Sequence, residues 1–81
     1  MTICVVPYAR IREILGSERL VRDALPGATA GEVWHRLASD YPALTTLERS
    51  TRLVRNGAFA DAATILSDGD ELGLLPPFGG G

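Results

Sequence analysis

TAGEVWHRLASDY, residues 29–41, is the segment that decides the fold. Thr29 and Glu32 form the T-x-x-E pattern of a capping box, which predicts that a helix begins here. Pro42 ends that helix, because proline disfavours the helical conformation in the residue before it. Between these signals the apolar residues recur at helical spacing and form one stripe: Val33, Trp34, Leu37, Ala38 and Tyr41. The segment therefore predicts one strong amphipathic helix whose apolar face covers a sheet.

Three shorter elements precede this helix. TICVVP (2–7) is β-branched and apolar, which is typical of a strand buried on both faces, and we expect it to be central in the sheet. ARIREILG (9–16) has apolar residues at i, i+3 and i+4 and a glycine where a left-handed cap belongs, so it predicts a helix of about two turns. SERLVRDALPG (17–27) predicts a second strand between two glycine signals.

The second half of the chain predicts the remaining strands. Residues 43–50 read as irregular, with room for a short turn of helix. Asn56-Gly57 between Val54 and Phe59 is the signature of a tight β-hairpin. Ile65 and Leu66 are expected to anchor a following loop, SDGDE (67–71) is a polar turn, and LGLL (72–75) is the last strand. The order predicts an α+β fold of two layers, a mixed sheet packed against one main helix with a short additional helix.

Length, charge and composition narrow the functional classes. The chain has 81 residues, enough for one domain and one core. The net charge of −2 argues against a nucleic-acid partner, since a phosphate-binding surface needs excess positive charge. The N-terminus lacks the pattern of a signal peptide, and no apolar run approaches the ~20 residues that span a bilayer. We therefore expect a cytoplasmic protein with no membrane partner.

The side chains offer little chemistry of their own. The chain has one cysteine and one histidine, too few for a multi-cysteine metal site or an iron–sulfur cluster, and a bound metal or cofactor is not expected. We expect Cys4 to be a buried core thiol and His35 a solvated surface imidazole. The acidic residues of the SDGDE segment suggest a turn rather than a cation site, because Asp and Gly supply the backbone angles of a bend. All eight basic residues are arginines, so the chain offers no lysine amine.

The last segment of the sequence, LLPPFGGG (74–81), is unusual because two prolines, a phenylalanine and three glycines follow a strand-like pair of leucines. Pro76-Pro77 favours an extended spacer that holds Phe78 away from the body. The four residues from Phe78 to Gly81 reach about 13–14 Å when extended, and three of them have no side chain, so the tail is thin enough to thread a channel. Its one reactive group is the α-carboxylate of Gly81, which becomes an electrophile only after a separate enzyme adenylates it. A loose terminus without function is the alternative.

These features together resemble a known family, the small, sulfur-carrying subunits of molybdopterin synthase, which have the ubiquitin-like β-grasp fold. The similarity extends over nearly the whole chain, through YARIREILGSE, GATAGEVWHRLASDYP and LVRNGAFADAATILSDGDE. The most specific part is the ending, in which the DGDE turn leads to Pro76, Pro77, Phe78, Gly79, Gly80 and Gly81. It matches the family pattern PP-x-x-GG, and the third glycine occupies a variable position.

The resemblance implies that the folded domain and the tail have different functions. Residues 1–75 would form the β-grasp domain and residues 76–81 the functional tail. A ubiquitin-activating-type adenylating enzyme would use ATP to activate Gly81, and a sulfur donor would convert it to a thiocarboxylate. The tail would then enter the large subunit of molybdopterin synthase, which holds the catalytic side chains, in a heterotetramer. The residues implied in partner contact are Leu75, Pro76, Pro77, Phe78, Gly79 and Gly80.

Three other functions share these sequence features. A sulfur carrier for thiamine or cysteine biosynthesis would have the same fold and the same chemistry at Gly81. A ubiquitin-like protein modifier would join its terminal glycine to target lysines. A plain binding domain would leave the tail idle.

Overall fold

The structure is a computed structural model, and it describes residues 1–77. Strands and helices follow the predicted order. Along the chain they are β1 (Thr2–Pro7), α1 (Ala9–Leu15), β2 (Leu20–Asp23), α2 (Ala30–Asp40), a 3₁₀ helix (Pro42–Leu47), β3 (Arg52–Arg55), β4 (Ala58–Ala60) and β5 (Glu71–Leu75). The segment predicted to be irregular is thus largely 3₁₀ helix, which starts at the proline that ends α2.

The five strands of the described chain form one mixed sheet in the order β2-β1-β5-β3-β4. β5 runs parallel to β1 and antiparallel to β3, while β1–β2 and β3–β4 are antiparallel pairs. The prediction that β1 is the central strand is wrong by one position. The last strand enters between β1 and β3 and takes the centre, so both ends of the domain meet side by side in the sheet.

One core lies between this sheet and the helices. Ile3 and Val5 of β1 and Leu72 and Leu74 of β5 are fully buried on the face toward the helices. The remaining buried members of the cluster come mainly from the two α-helices and the 3₁₀ helix: Ile11, Leu15, Ala30, Val33, Trp34, Leu37, Ala38, Leu44 and Leu66. The predicted α+β architecture, a ubiquitin-like β-grasp with α2 as the main helix, is confirmed.

Local signals in the sequence act as predicted. The Thr29 side chain accepts a hydrogen bond from the backbone N–H of Glu32 at 3.2 Å and begins α2. Gly16 ends α1 in the left-handed conformation, with φ of 71°. Asn56 and Gly57 have φ of 47° and 85°, the positive angles that a two-residue turn needs, and they join β3 to β4.

Two expectations about burial are wrong, the first because of strand alternation. Cys4 lies between Ile3 and Val5, which take the core face, so its thiol points to the other face and is partly exposed rather than buried. There Arg19 donates a hydrogen bond to its Sγ at 3.1 Å. Of the two residues expected to anchor a loop, Leu66 is buried, but Ile65 remains 63% exposed.

Across residues 1–77, no helix combines the length and apolar character that crossing a bilayer would demand.

Candidate functional site

The tail leaves the body from the centre of the sheet. Leu74, the second-last residue of β5, is fully buried, and its carbonyl accepts a hydrogen bond from the Tyr8 N–H at 3.1 Å. Leu75, which pairs with Arg52 of β3, is half-buried. Because β5 is bonded to a strand on each side, the base of the tail has a fixed position and direction.

The residues predicted to carry the function divide into two groups. Leu75 and Pro76 are half-buried at the end of β5, and Pro77 is exposed. Phe78, Gly79, Gly80 and Gly81 lie outside the described residues. The predicted reactive group and its glycine approach therefore stay predictions, while the structure shows the platform from which they depart.

The acidic turn before β5 fixes this platform to the β3–β4 hairpin. Asp70 is buried, and its carboxylate accepts hydrogen bonds from Arg55 Nε at 2.7 Å, from the Ser67 N–H at 2.7 Å and from Asn56 Nδ2 at 2.9 Å. Asn56 in turn accepts from the Glu71 N–H at 2.8 Å. The turn of the hairpin is thereby tied to the first residue of β5.

Those three donors favour the ionised carboxylate. The hydrogen bond from Arg55 contributes most, followed by those from Ser67 and Asn56, and together they lower the pKa of Asp70 from 3.8 to about 2, against the opposing effect of burial. The sequence indicated a turn here rather than a cation site, and residues 1–77 contain no group of three metal-binding side chains. The structural role of Asp70 itself was missed.

The helices of residues 1–77 pack on the core face of the sheet and leave its second face, which we call the open face, uncovered. Side chains alternate along each strand, so the neighbours of the core residues point to this face. It carries Cys4, Val54, Phe59, Gly73 and Leu75, with the Tyr8 ring beside them. Phe59 is 69% and Tyr8 41% exposed, an apolar surface of the kind that marks an interaction site.

At the centre of the open face is a small depression, which we call the notch. It has a volume of about 150 Å³ and is lined by Tyr8, Val54, Gly57, Glu71, Gly73 and Leu75. Its floor is Gly73, where a Cβ would lie 3.4 Å from Val54 Cβ and 3.6 Å from Tyr8 Cε2. The missing side chain of one glycine therefore opens the notch.

Two arginines lie against aromatic rings of the open face, Arg12 at Tyr8, which lines the notch, and Arg52 at Phe59, which does not. The Arg12 guanidinium lies 5.9 Å from the centroid of the Tyr8 ring, and the Arg52 guanidinium lies 5.7 Å from that of Phe59. Arg12 Nε also donates to the Pro7 carbonyl at 3.4 Å. No carboxylate of the described chain comes within 4 Å of either guanidinium.

A cavity larger than the notch lies on the helix side. This groove, of about 480 Å³, lies between α2 and the β3–β4 hairpin, and Trp34, Glu48 and Phe59 are among its lining residues. Glu48 Oε1 accepts a hydrogen bond from Trp34 Nε1 at 3.3 Å and lies 3.3 Å from His35 Nε2. His35 is solvent-exposed, as predicted, and this contact joins α2 to the turn after the 3₁₀ helix rather than to a nucleophile.

Sequence reasoning concentrated on the tail and missed the open face. The residues it missed are Tyr8, Arg12, Arg52, Val54, Phe59 and Gly73. A signal for three of them was present. Alternation within ELGLL places Gly73 and Leu75 opposite the two core leucines, and the Asn56-Gly57 turn fixes Val54 opposite Phe59. The contacts of Arg12 with Tyr8 and of Arg52 with Phe59 join residues that are close along the chain, and no recognised pattern indicated them. The approach of Tyr8 to Gly73 joins distant segments, which a local pattern does not predict.

This chain is similar to several known proteins in sequence and in fold. The model of the ThiS family matches residues 5–81. The molybdopterin synthase sulfur carrier subunit of Arabidopsis thaliana is 29% identical over 79 residues, which are 98% of this chain and 82% of that protein. Small archaeal modifier protein 1 of Haloferax volcanii is 32% identical over 82 residues, covering 91% of this chain and 94% of that protein. The crystal structure of SAMP1 from Haloferax volcanii covers both chains fully, with a TM-score of 0.84 at 28% identity.

Proposed function

Since this chain belongs to the ThiS family, we propose that it is the sulfur carrier subunit of a molybdopterin synthase and carries sulfur on Gly81. The observation that carries this proposal is the extent of the family match, which reaches from β1 through the last glycine. Relatives named as molybdopterin synthase sulfur carrier subunits, from Arabidopsis thaliana and Aedes aegypti, cover 98% and 91% of the chain. The buried, doubly paired β5 supplies the rigid base that a working tail needs.

The proposed chemistry needs no side chain of this protein. In the adenylating enzyme, the Gly81 carboxylate attacks the α-phosphorus of ATP, so that pyrophosphate leaves and an acyl-adenylate remains. A donor of sulfur at the oxidation level of sulfide then displaces AMP, which gives the thiocarboxylate. The body presents the tail, and the large subunit supplies the residues that pass the sulfur to the pterin.

Because the tail is presented to a partner that holds the reacting residues, we propose a role for each residue of the tail. Leu75, Pro76, Pro77 and Phe78 would contact the partner, and Gly79 and Gly80 would let the chain pass through a narrow entrance. The partners we propose are the large subunit of molybdopterin synthase, a ubiquitin-activating-type adenylating enzyme and a sulfur donor. We propose that carrier and large subunit assemble as a heterotetramer in the cytoplasm.

A second function has specific support. The relative from Haloferax volcanii, 32% identical, is named a small archaeal modifier protein. A modifier uses the same adenylated Gly81 but transfers it to the amine of a target protein, which forms an amide. The two functions differ only in the acceptor, so the product attached to Gly81 distinguishes them.

Intact mass spectrometry tests the proposal. The chain is incubated with its adenylating enzyme, ATP and a sulfur donor, and the expected product is heavier by the difference between sulfur and oxygen. Deletion of Gly81 should abolish sulfur loading and molybdopterin formation with the large subunit, while circular dichroism stays unchanged, because no core residue is touched. Molybdopterin formation by the shortened chain would disprove the sulfur-carrier function. Conjugation of the full chain to other proteins, without sulfur loading, would favour the modifier.

A further inference from the structure

We propose that the outer edge of β2 binds a second copy of this chain, so that two sheets join across a twofold axis into one continuous sheet. This inference goes beyond the proposed function and does not depend on it, because neither the tail nor the notch takes part. It concerns the strand at the end of the sheet, which the sulfur chemistry leaves without a role.

The backbone of β2 has hydrogen-bonding groups that point away from the sheet. Within the described chain, β2 is an outer strand that pairs only with β1. Ala24, directly after β2, exchanges both of its backbone hydrogen bonds with Met1, at 2.8 and 2.7 Å. Because bonded pairs alternate along an antiparallel ladder, the N–H and C=O groups of Arg22 also point toward β1, whereas those of Val21 and Asp23 point outward. Such an edge is a template for one more strand.

The side chains along this edge place an exposed apolar residue between two opposite charges. Val21 is 71% exposed, and Arg19 and Asp23, two positions away on either side, are exposed as well. Alternation puts all three on the same face of the sheet, and Arg19 Nη2 donates there to Cys4 Sγ at 3.1 Å. Within residues 1–77 neither Arg19 nor Asp23 forms an ion pair. An antiparallel strand of the same sequence therefore offers each charge an opposite one.

Twofold symmetry selects the register in which these groups match. Two antiparallel copies of Val21 can face each other on the axis and exchange both outward backbone bonds, and Arg19 of each copy then lies opposite Asp23 of the other. Moving the axis one residue toward the C-terminus would place Arg22 opposite its own copy, and moving it one residue toward the N-terminus would separate Arg19 from Asp23. Opposite charges across two strands stabilise the pairing and like charges destabilise it, so the register centred on Val21 is favoured.

The contact is small and leaves the tail accessible. It involves residues 19–23 of each copy, far fewer than the roughly 20–30 residues a side of a standard stable interface. We therefore expect a reversible dimer that forms at high micromolar concentration. β5 is two strands away from this edge, in the order β2-β1-β5, so a second copy at β2 does not cover the strand from which the tail departs.

Sedimentation equilibrium of the full chain over a concentration series tests the proposal. Asp23→Arg places an arginine opposite Arg19 at both ends of the pairing and should lower the association constant about tenfold or more. The double variant Arg19→Asp/Asp23→Arg exchanges the two charges and should restore the constant to within about threefold of the wild type. A wild-type chain that stays monomeric up to about millimolar concentration, or a double variant as weak as the single one, would overturn the proposal.

A matched pair of apolar substitutions locates the interface. Val21 and Phe59 are similarly exposed, at 71% and 69%, but lie in β2 and β4 at opposite ends of the sheet. Val21→Lys places two like charges against each other on the axis and should weaken association about tenfold, whereas Phe59→Lys should change it less than twofold. Thermal unfolding first shows that both variants are folded. Equal effects, or a larger effect of Phe59→Lys, would exclude the β2 edge as the interface.

Disulfide formation tests the register. The Cα atoms of a hydrogen-bonded antiparallel pair are about 5.5 Å apart, a distance that a disulfide spans. In a Cys4→Ser background, oxidised glutathione should therefore link two Val21→Cys chains at least about tenfold faster than two Phe59→Cys chains. Equal rates for these two variants would overturn the pairing centred on Val21.

Discussion

The same strands build both faces of the sheet, but helices cover only one of them. On the helix side, Leu72 and Leu74 of β5 are fully buried in a continuous core. On the open side, the same strand presents Gly73 and Leu75, which border the notch. One face provides the burial that holds a small domain together, and the other leaves apolar surface uncovered at the point where the tail departs. Along β5, the leucines that stabilise the core thus alternate with residues that face away from it.

Because Leu74 is fully buried and Leu75 is only half-buried, substitutions at these two positions of β5 should separate folding from binding. Loss of a buried leucine removes both transfer free energy and packing, while loss of an open-face leucine removes surface that only a partner would cover. Leu74→Ala and Leu75→Ala test this separation directly, and Asp70→Asn and His35→Ala extend the comparison to the turn before β5 and to α2.

Leu74→Ala should have the largest effect on stability. Leu74 is fully buried between β1, β3 and the helices, so its truncation should cost about 2–5 kcal/mol in the free energy of unfolding. Urea denaturation of the variant and of the wild type measures the difference. A loss of less than about 1 kcal/mol would indicate that the core collapses around the missing side chain, and the contrast between the two faces would weaken.

Asp70→Asn should have the next largest effect, and the effect should depend on pH. The amide places a donor where three donors now converge, so we expect a loss of about 1.5–3 kcal/mol at neutral pH. The folded pKa, about 2, is below the ordinary value of 3.8, so the ionised carboxylate stabilises the fold above pH 4. That stabilisation is lost as the pH falls from 4 toward 2.

Thermal unfolding of both proteins between pH 2 and pH 7 measures this dependence. The gap between wild type and variant should be constant above about pH 5 and should close on acidification. A gap that stays constant down to pH 2 would mean that the charge of Asp70 contributes nothing and that only the shape of the side chain matters.

Leu75→Ala is the matched partner of Leu74→Ala, since it truncates the adjacent leucine on the other face. Leu75 is half-buried, so the cost in unfolding free energy should remain below about 1 kcal/mol. Binding to the large subunit should weaken, because Leu75 forms a wall of the notch. If Leu75→Ala destabilises the fold as much as Leu74→Ala, the two faces are not functionally distinct.

His35→Ala should have the smallest effect. The imidazole is 69% exposed, and its contact with Glu48 is an exposed ion pair only when the histidine is protonated. Such pairs contribute about 0–1 kcal/mol, so stability and sulfur loading should both be close to those of the wild type. A marked loss of activity would show that the helix-side groove takes part in the function.

Much of the fold follows from local patterns. The capping box at Thr29, the glycine cap at Gly16 and the Asn56-Gly57 turn all have mechanisms confined to a few residues, and all three predictions are confirmed. Predictions that depended on long-range placement were less accurate. Cys4 is partly exposed because Ile3 and Val5 take the core face, and β1 is not central because β5 pairs beside it.

The sequence by itself determined the order of the elements, the identity of the main helix and the family that the terminal motif indicates. These signals are periodicity, helix caps and a short motif, and each depends only on residues close together in the chain. Only the tertiary structure decided that β5 lies at the centre and that Tyr8, Val54 and Gly73 meet in a notch. These residues are far apart along the chain. Their contact depends on which strands pair, and pairing is settled by the burial of the whole core.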